Sequence, residues 1–115
     1  NKSFDELKEL VLEWADDKDL LHSRNIGVQF MKCIEEVFEF KRELDIRIYR
    51  RDSGIPKEII FRDMMLEMGD IFVTLVILCE DLEIDPVVCL EMAYEKISKR
   101  HGKTLNGTFV KSEDL

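Results

Sequence analysis

The chain is short of residues that interrupt regular structure: its 115 positions hold five glycines and two prolines. So few breakers argue against many short strands joined by tight turns, and 45% hydrophobic residues exclude a low-complexity disordered chain. Positive charge is the scarcer sign, with 17 Lys and Arg against 25 Asp and Glu and a formal net charge of −8. An acidic surface repels phosphate backbones, so general binding to nucleic acid is not expected. Three cysteines, Cys33, Cys79 and Cys89, are odd in number and show no C-x-x-C spacing. That pattern suggests neither a disulfide framework nor a structural zinc site, and fits a reducing cytoplasm. Long apolar runs are missing too. The longest charge-free segment, Ile71 to Cys79, has nine residues, well below the roughly 20 that span a bilayer. The opening Asn1 to Glu6 has no signal-peptide pattern, so a soluble cytoplasmic protein with no membrane partner is expected.

What is present is helical periodicity. Ser3 with Glu6 forms a capping-box signature ahead of Phe4, Leu7, Leu10, Val11 and Trp14, which predicts a first helix over about Phe4 to Asp17. His22, Asn25 and Gly27 fall in a polar connection, after which Phe30, Met31, Ile34, Val37, Phe38 and Leu44 recur with a 3.6-residue period. A longer second helix follows, ending near Arg51. The segment Asp52-Ser53-Gly54-Ile55-Pro56 reads as a turn, with Pro56 opening a third helix from about Lys57 to Asp81. Asp85-Pro86 reads as an N-cap and first-turn pair and Gly102 as the residue past a helix end, giving a fourth helix over Pro86 to His101. The expected architecture is all-α, one four-helix bundle over residues 1–102, with an irregular tail over 103–115.

The third helix carries the information. Large apolar residues fall on every side of it, as expected of a buried helix, and Glu67 and Asp70 are the only charges between Asp63 and Glu80. A spacing of three sets those two carboxylates one turn apart, heading into a core. A buried, unpaired carboxylate costs several kcal/mol, roughly the whole stability of a small domain, so a proton, a basic side chain or a metal must compensate. The second helix brings Glu35, Glu36 and Glu39 beside its apolar stripe, adding charge of the same sign. A divalent cation among Glu36, Glu39, Glu67 and Asp70 is the economical answer, and an oxygen-only ligand set favours Mg²⁺, with Mn²⁺ as a substitute. A di-iron bundle would need Glu-x-x-His on two helices, whereas His22 and His101 lie in a loop and at a helix end. Mg²⁺ with exchangeable waters commonly partners a polyphosphate. Lys96 and Arg100, four apart in the last turn of the fourth helix with Lys99 beside them, form a candidate phosphate clamp.

These residues carry a family resemblance. Lys32-x-x-Glu35-Glu36-x-x-Glu39, followed after 27 residues by Glu67-x-x-Asp70, resembles the EExxE and ExxD signature of the MazG-like all-α nucleotide pyrophosphohydrolases. Trp14-Ala15-Asp16-Asp17, and the stretch from Tyr94 to Lys103 running into Asn106-Gly107-Thr108-Phe109-Val110, are similar to small phage-type and stand-alone bacterial members, so the resemblance covers nearly the whole chain. It implies hydrolysis of a nucleoside triphosphate to the monophosphate and pyrophosphate, with Mg²⁺ on Glu36, Glu39, Glu67 and Asp70. It also implies Lys96 and Arg100 on the triphosphate, and assembly as a homodimer or homotetramer.

Each sharp reading has a plain counterpart. Glu35, Glu36 and Glu39 could form a solvated helix face, and Lys96, Lys99 and Arg100 could simply complement the helix dipole. Trp14 could pack in the bundle or stack on a base, Gln29 and Asn106 could read a base edge or cap turns, and the cysteines are expected as small core residues. The expected mechanism is metal-assisted attack of water on the triphosphate, with Glu35 or Glu39 orienting the water and the basic residues neutralising charge. The rival from another class is a catalytically silent helical dimerisation or partner-binding module with an acidic surface.

Overall fold

The computed structural model describes residues 1–21, 26–49 and 54–115. His22 and Asn25 of the expected connection, the expected helix end at Arg51, and Asp52 and Ser53 of the expected turn lie outside the described residues. Four helices and one small hairpin are present: α1 (Phe4–Asp17), α2 (Ile26–Tyr49), α3 (Lys57–Asp81), α4 (Pro86–Ser98), β1 (Gly102–Leu105) and β2 (Thr108–Lys111), with a final 3₁₀ turn at Ser112–Asp114. The chain divides into two units, Asn1–Ile84 and Asp85–Leu115.

In the first unit the caps fix the helices. The Ser3 hydroxyl accepts from the Glu6 backbone N–H at 3.1 Å, as the capping-box pattern requires. α1 and α3 then stop in the same way without glycine. Asp19 and Glu83 adopt left-handed φ angles of 58° and 59°, and the N–H groups of Leu20 and Ile84 donate back to the Ala15 and Cys79 carbonyls at 2.8 and 2.9 Å. Both ends are Schellman closures. Pro56 stands at the N-cap of α3, one place before the first helical residue.

α2 and α3 run antiparallel: Arg47 near the end of α2 lies 3.9 Å over the Phe61 ring near the start of α3, and Glu36 meets Glu67 and Asp70 further along. α1 packs on α3 as well. The core they share is small, comprising Ala15, Cys33, Ile60, Val76 and Ile77 together with the polar Gln29 and Thr74. The Thr74 hydroxyl donates to the Ile71 carbonyl at 2.7 Å, so its burial leaves no unmet donor. The expectation that α3 is buried all round is corrected: Met65 is 73% and Phe72 51% exposed in the single chain. Its apolar residues encircle the helix, whereas α1 and α2 cover only part of the circumference.

In the second unit, Asp85 accepts from the Val87 N–H at 2.8 Å and Pro86 opens α4. The helix ends at Ser98, three residues before the expected His101. The expected irregular tail is also corrected, because residues 102–111 form an antiparallel hairpin with Gly102 opposite Lys111 and Leu105 opposite Thr108. Asn106 and Gly107 at its tip have φ of 51° and 79°, the two positive values of a type I′ turn. Gly102 serves the hairpin and not a helix end, since a Cβ there would run into the Val110 carbonyl and the Phe109 ring. Cys89, expected in a core, is exposed on α4, and Cys33, Cys79 and Cys89 form no disulfide. Among the described residues no helix is long and apolar enough to cross a membrane.

Candidate functional site

The two acidic motifs meet where α2 and α3 pack. One carboxylate oxygen from each of Glu36, Glu67 and Asp70 lies within 4.8 Å of the others. A spacing of three along each helix brings this about, placing Glu36 and Glu39 one turn apart on α2 and Glu67 and Asp70 one turn apart on α3. Glu36 Oε2 and Glu67 Oε2 are buried and have no hydrogen-bond partner. Buried carboxylate oxygens left this way are costly, and their arrangement suits an oxygen-seeking cation.

The electrostatics agree with the geometry. Burial pushes the Glu36 carboxyl above its ordinary range, and the charges of Glu39, Asp70 and Glu67 push it further. Glu67 is raised by burial first and then by Glu39, Asp70 and Glu43. Glu39 stands beside both Glu36 and Glu67 and is a leading source of the like charge that raises them. Glu43, one turn beyond Glu39, contributes to the same field. The EExxE pattern does not reach it; its i+4 spacing from Glu39 is the signal that could have found it.

Glu35 is placed apart from this cluster, paired with Lys32 at 3.4 Å and largely solvent-exposed. Trp14 lies closer. With Leu7, Leu10 and Val11 of α1 and Val73 of α3 it lines an open groove of about 380 Å³ whose polar member is Asp70. The indole is 49% exposed in that groove. Gln29 is buried on α2, and Asn106 sits in the hairpin turn.

The basic residues belong to the second unit. Lys96 is in the last turn of α4 and Lys99 caps it. Arg100 is off the helix, its N–H donating to the Ile97 carbonyl at 3.1 Å. The expected placement of Lys96 and Arg100 on one helical face is thereby corrected, because the chain leaves the helix to enter β1. Arg100 lines a cavity with Tyr94, Ile97, Ser98 and Phe109.

A further buried carboxylate was not anticipated. Asp81, the last residue of α3, has an unpartnered buried Oδ2, and burial raises its pKa. Nothing in the sequence around Glu80-Asp81 distinguishes it from ordinary surface charge.

Compared with protein-family models, with curated proteins and with solved structures, the chain matches none.

Proposed function

We propose that the chain is a Mg²⁺-dependent pyrophosphohydrolase of the MazG-like all-α type, cleaving a nucleoside triphosphate to the monophosphate and pyrophosphate. In this reading it works as a homodimer or homotetramer. The observation that carries the proposal is the meeting of Glu36, Glu67 and Asp70 oxygens within 4.8 Å, two of the residues holding buried, unpartnered oxygens. Donors that are all carboxylate oxygens fit Mg²⁺ or Mn²⁺.

Glu36, Glu67 and Asp70 would hold the ion, with Glu39 completing the set. The ion supplies positive charge that polarises the phosphoryl oxygens. Glu39, adjacent to Glu36 and Glu67, would accept a proton from an attacking water, a role that Glu35 could support from further out. Trp14 would cover one face of the base in the apolar groove next to Asp70. Lys96, Lys99 and Arg100 would neutralise charge on the triphosphate. No covalent intermediate is required.

The test is a panel of the eight common ribo- and deoxyribonucleoside triphosphates, followed for pyrophosphate with and without Mg²⁺. Release of pyrophosphate and monophosphate that depends on the ion supports the proposal. No product from any nucleotide, together with no heat on titrating Mg²⁺ and a non-hydrolysable triphosphate, returns the chain to the silent-module reading.

A further inference from the structure

The acidic site is the middle of a longer ridge on α3. Val73, Asp70, Glu67, Met64 and Phe61 follow one another at intervals of three, an i±3 row along the helix. At one end Val73 and Asp70 border the open groove that holds Trp14. Glu67 stands in the middle, with Glu36 opposite. At the other end the ridge carries a guanidinium. Arg47 lies 3.9 Å over the Phe61 ring, and its Nη1 donates to Met64 Sδ at 3.9 Å.

α2 repeats the order. At about 100° per residue, Glu36, Glu39, Glu43 and Arg47 fall within an arc of about 80°, so one face carries three carboxylates and then a cation. Glu43, four residues back, is the ordinary helical partner for such an arginine. That pairing is not made: among the described residues Arg47 forms no ion pair, and its side chain crosses to α3 instead. Lys57 stands 5.7 Å from the same ring, so two cations flank one aromatic. The lysines of α2 are committed elsewhere, Lys32 to Glu35 and Lys41 to Asp45. Sulfur is a weak acceptor, which leaves the exposed Arg47 with N–H groups to offer an oxyanion.

We infer that Arg47 binds the terminal phosphates of the triphosphate, the part that leaves as pyrophosphate. The order along the ridge sets the direction. An apolar groove beside Asp70, then carboxylates, then a guanidinium matches a base, ion-bound phosphates and the far end of the anion. Met64 lies about one turn, roughly 5 Å, from Glu67 along the axis, so a phosphate chain held by the ion reaches the guanidinium without leaving the ridge. Charge favours the same placement. Ionised Glu36, Glu39, Glu67 and Asp70 outweigh one divalent ion, and a triphosphate adds further negative charge that a protein cation offsets. Phe61 and Met64 are positioning residues that seat the guanidinium. The inference rests on the proposed function and adds to it a substrate contact and the orientation of the nucleotide, all within Asn1–Ile84.

Titration calorimetry in Mg²⁺ with a non-hydrolysable nucleoside triphosphate, and with the monophosphate of the same base, tests it. Arg47→Ala should weaken the triphosphate by about tenfold or more and leave the monophosphate within about twofold. Arg47→Lys, which keeps the charge without the fork, should fall between wild type and Arg47→Ala. Should Arg47→Ala fail to fold, Arg47→Gln keeps much of the stem over the ring and should show the same selective loss. Equal loss of both ligands overturns the inference. Wild-type protein that binds no triphosphate overturns the proposed function with it, whereas wild-type binding that the Arg47 variants leave unchanged overturns this inference alone.

Discussion

The two sides of the α2–α3 pair are built from the same two helices and make opposite demands. One side gathers Glu36, Glu39, Glu67 and Asp70, with buried oxygens that no protein donor satisfies. The other carries Phe38, Met65 and Phe72, each more than half exposed. In the proposed reading the first side takes a cation, whereas the second is apolar surface left exposed in the single chain. The difference shows how a helix that is apolar all round still sorts its residues: a carboxylate every third position marks one side, and large apolar side chains mark the other.

The contrast is broken most severely by removing a carboxylate. Glu67→Gln or Asp70→Asn should lower pyrophosphate release by on the order of 10³-fold, about 4 kcal/mol of transition-state stabilisation, while the protein stays folded. A steady-state pyrophosphate assay checks this, and near-normal activity in both variants removes the metal role. Next in size is Ile77→Ala, which opens a cavity at a side chain only 3% exposed and should cost about 3 kcal/mol in urea unfolding. A smaller effect is expected of Trp14→Ala, which should raise KM about tenfold and change kcat little if the indole only binds the base. A fall in kcat alone would assign Trp14 another role.

The smallest prediction carries only a sign. Glu36 and Glu67 have raised pKa values in the fold, so between their ordinary value and the raised one the folded chain holds more protons than the unfolded chain. Their contribution to stability is therefore full below the ordinary carboxylate pKa and is lost as pH rises through the raised values. Measured by thermal unfolding without divalent ions, the advantage of Glu67→Gln over wild type should grow from pH 4 to pH 7. Adding Mg²⁺ should shrink it.

Much of this was legible in the sequence because the signals were local. The Ser3–Glu6 box and the Asp85-Pro86 pair act within one helical turn, and the structure starts α1 and α4 where they predict. The period set each carboxylate pair one turn apart and the resemblance put the two pairs together; the structure brings Glu36, Glu67 and Asp70 within reach of one another. What was missed depended on contacts distant in sequence or on short segments. α4 ends early because Gly102 pairs with Lys111, and four-residue strands are too short to show alternation. Asn106-Gly107 was the remaining sign of that hairpin. Apolar composition predicts that α3 needs a partner surface without saying which of its residues the same chain covers, so the exposure of Met65 and Phe72 is visible only in the structure. Glu43 and Asp81 look like surface charge until the neighbouring helix is in place.

The central claim is that carboxylates from two helices converge on a divalent ion, and titration with Mn²⁺ followed by electron paramagnetic resonance tests it most directly. The account predicts that wild-type protein removes the six-line signal of aqueous Mn²⁺, that Mg²⁺ restores it by competition, and that Glu36→Gln and Glu67→Gln largely abolish the uptake. An undiminished aqueous signal in the presence of folded wild-type protein, or equal uptake by wild type and both variants, would contradict it.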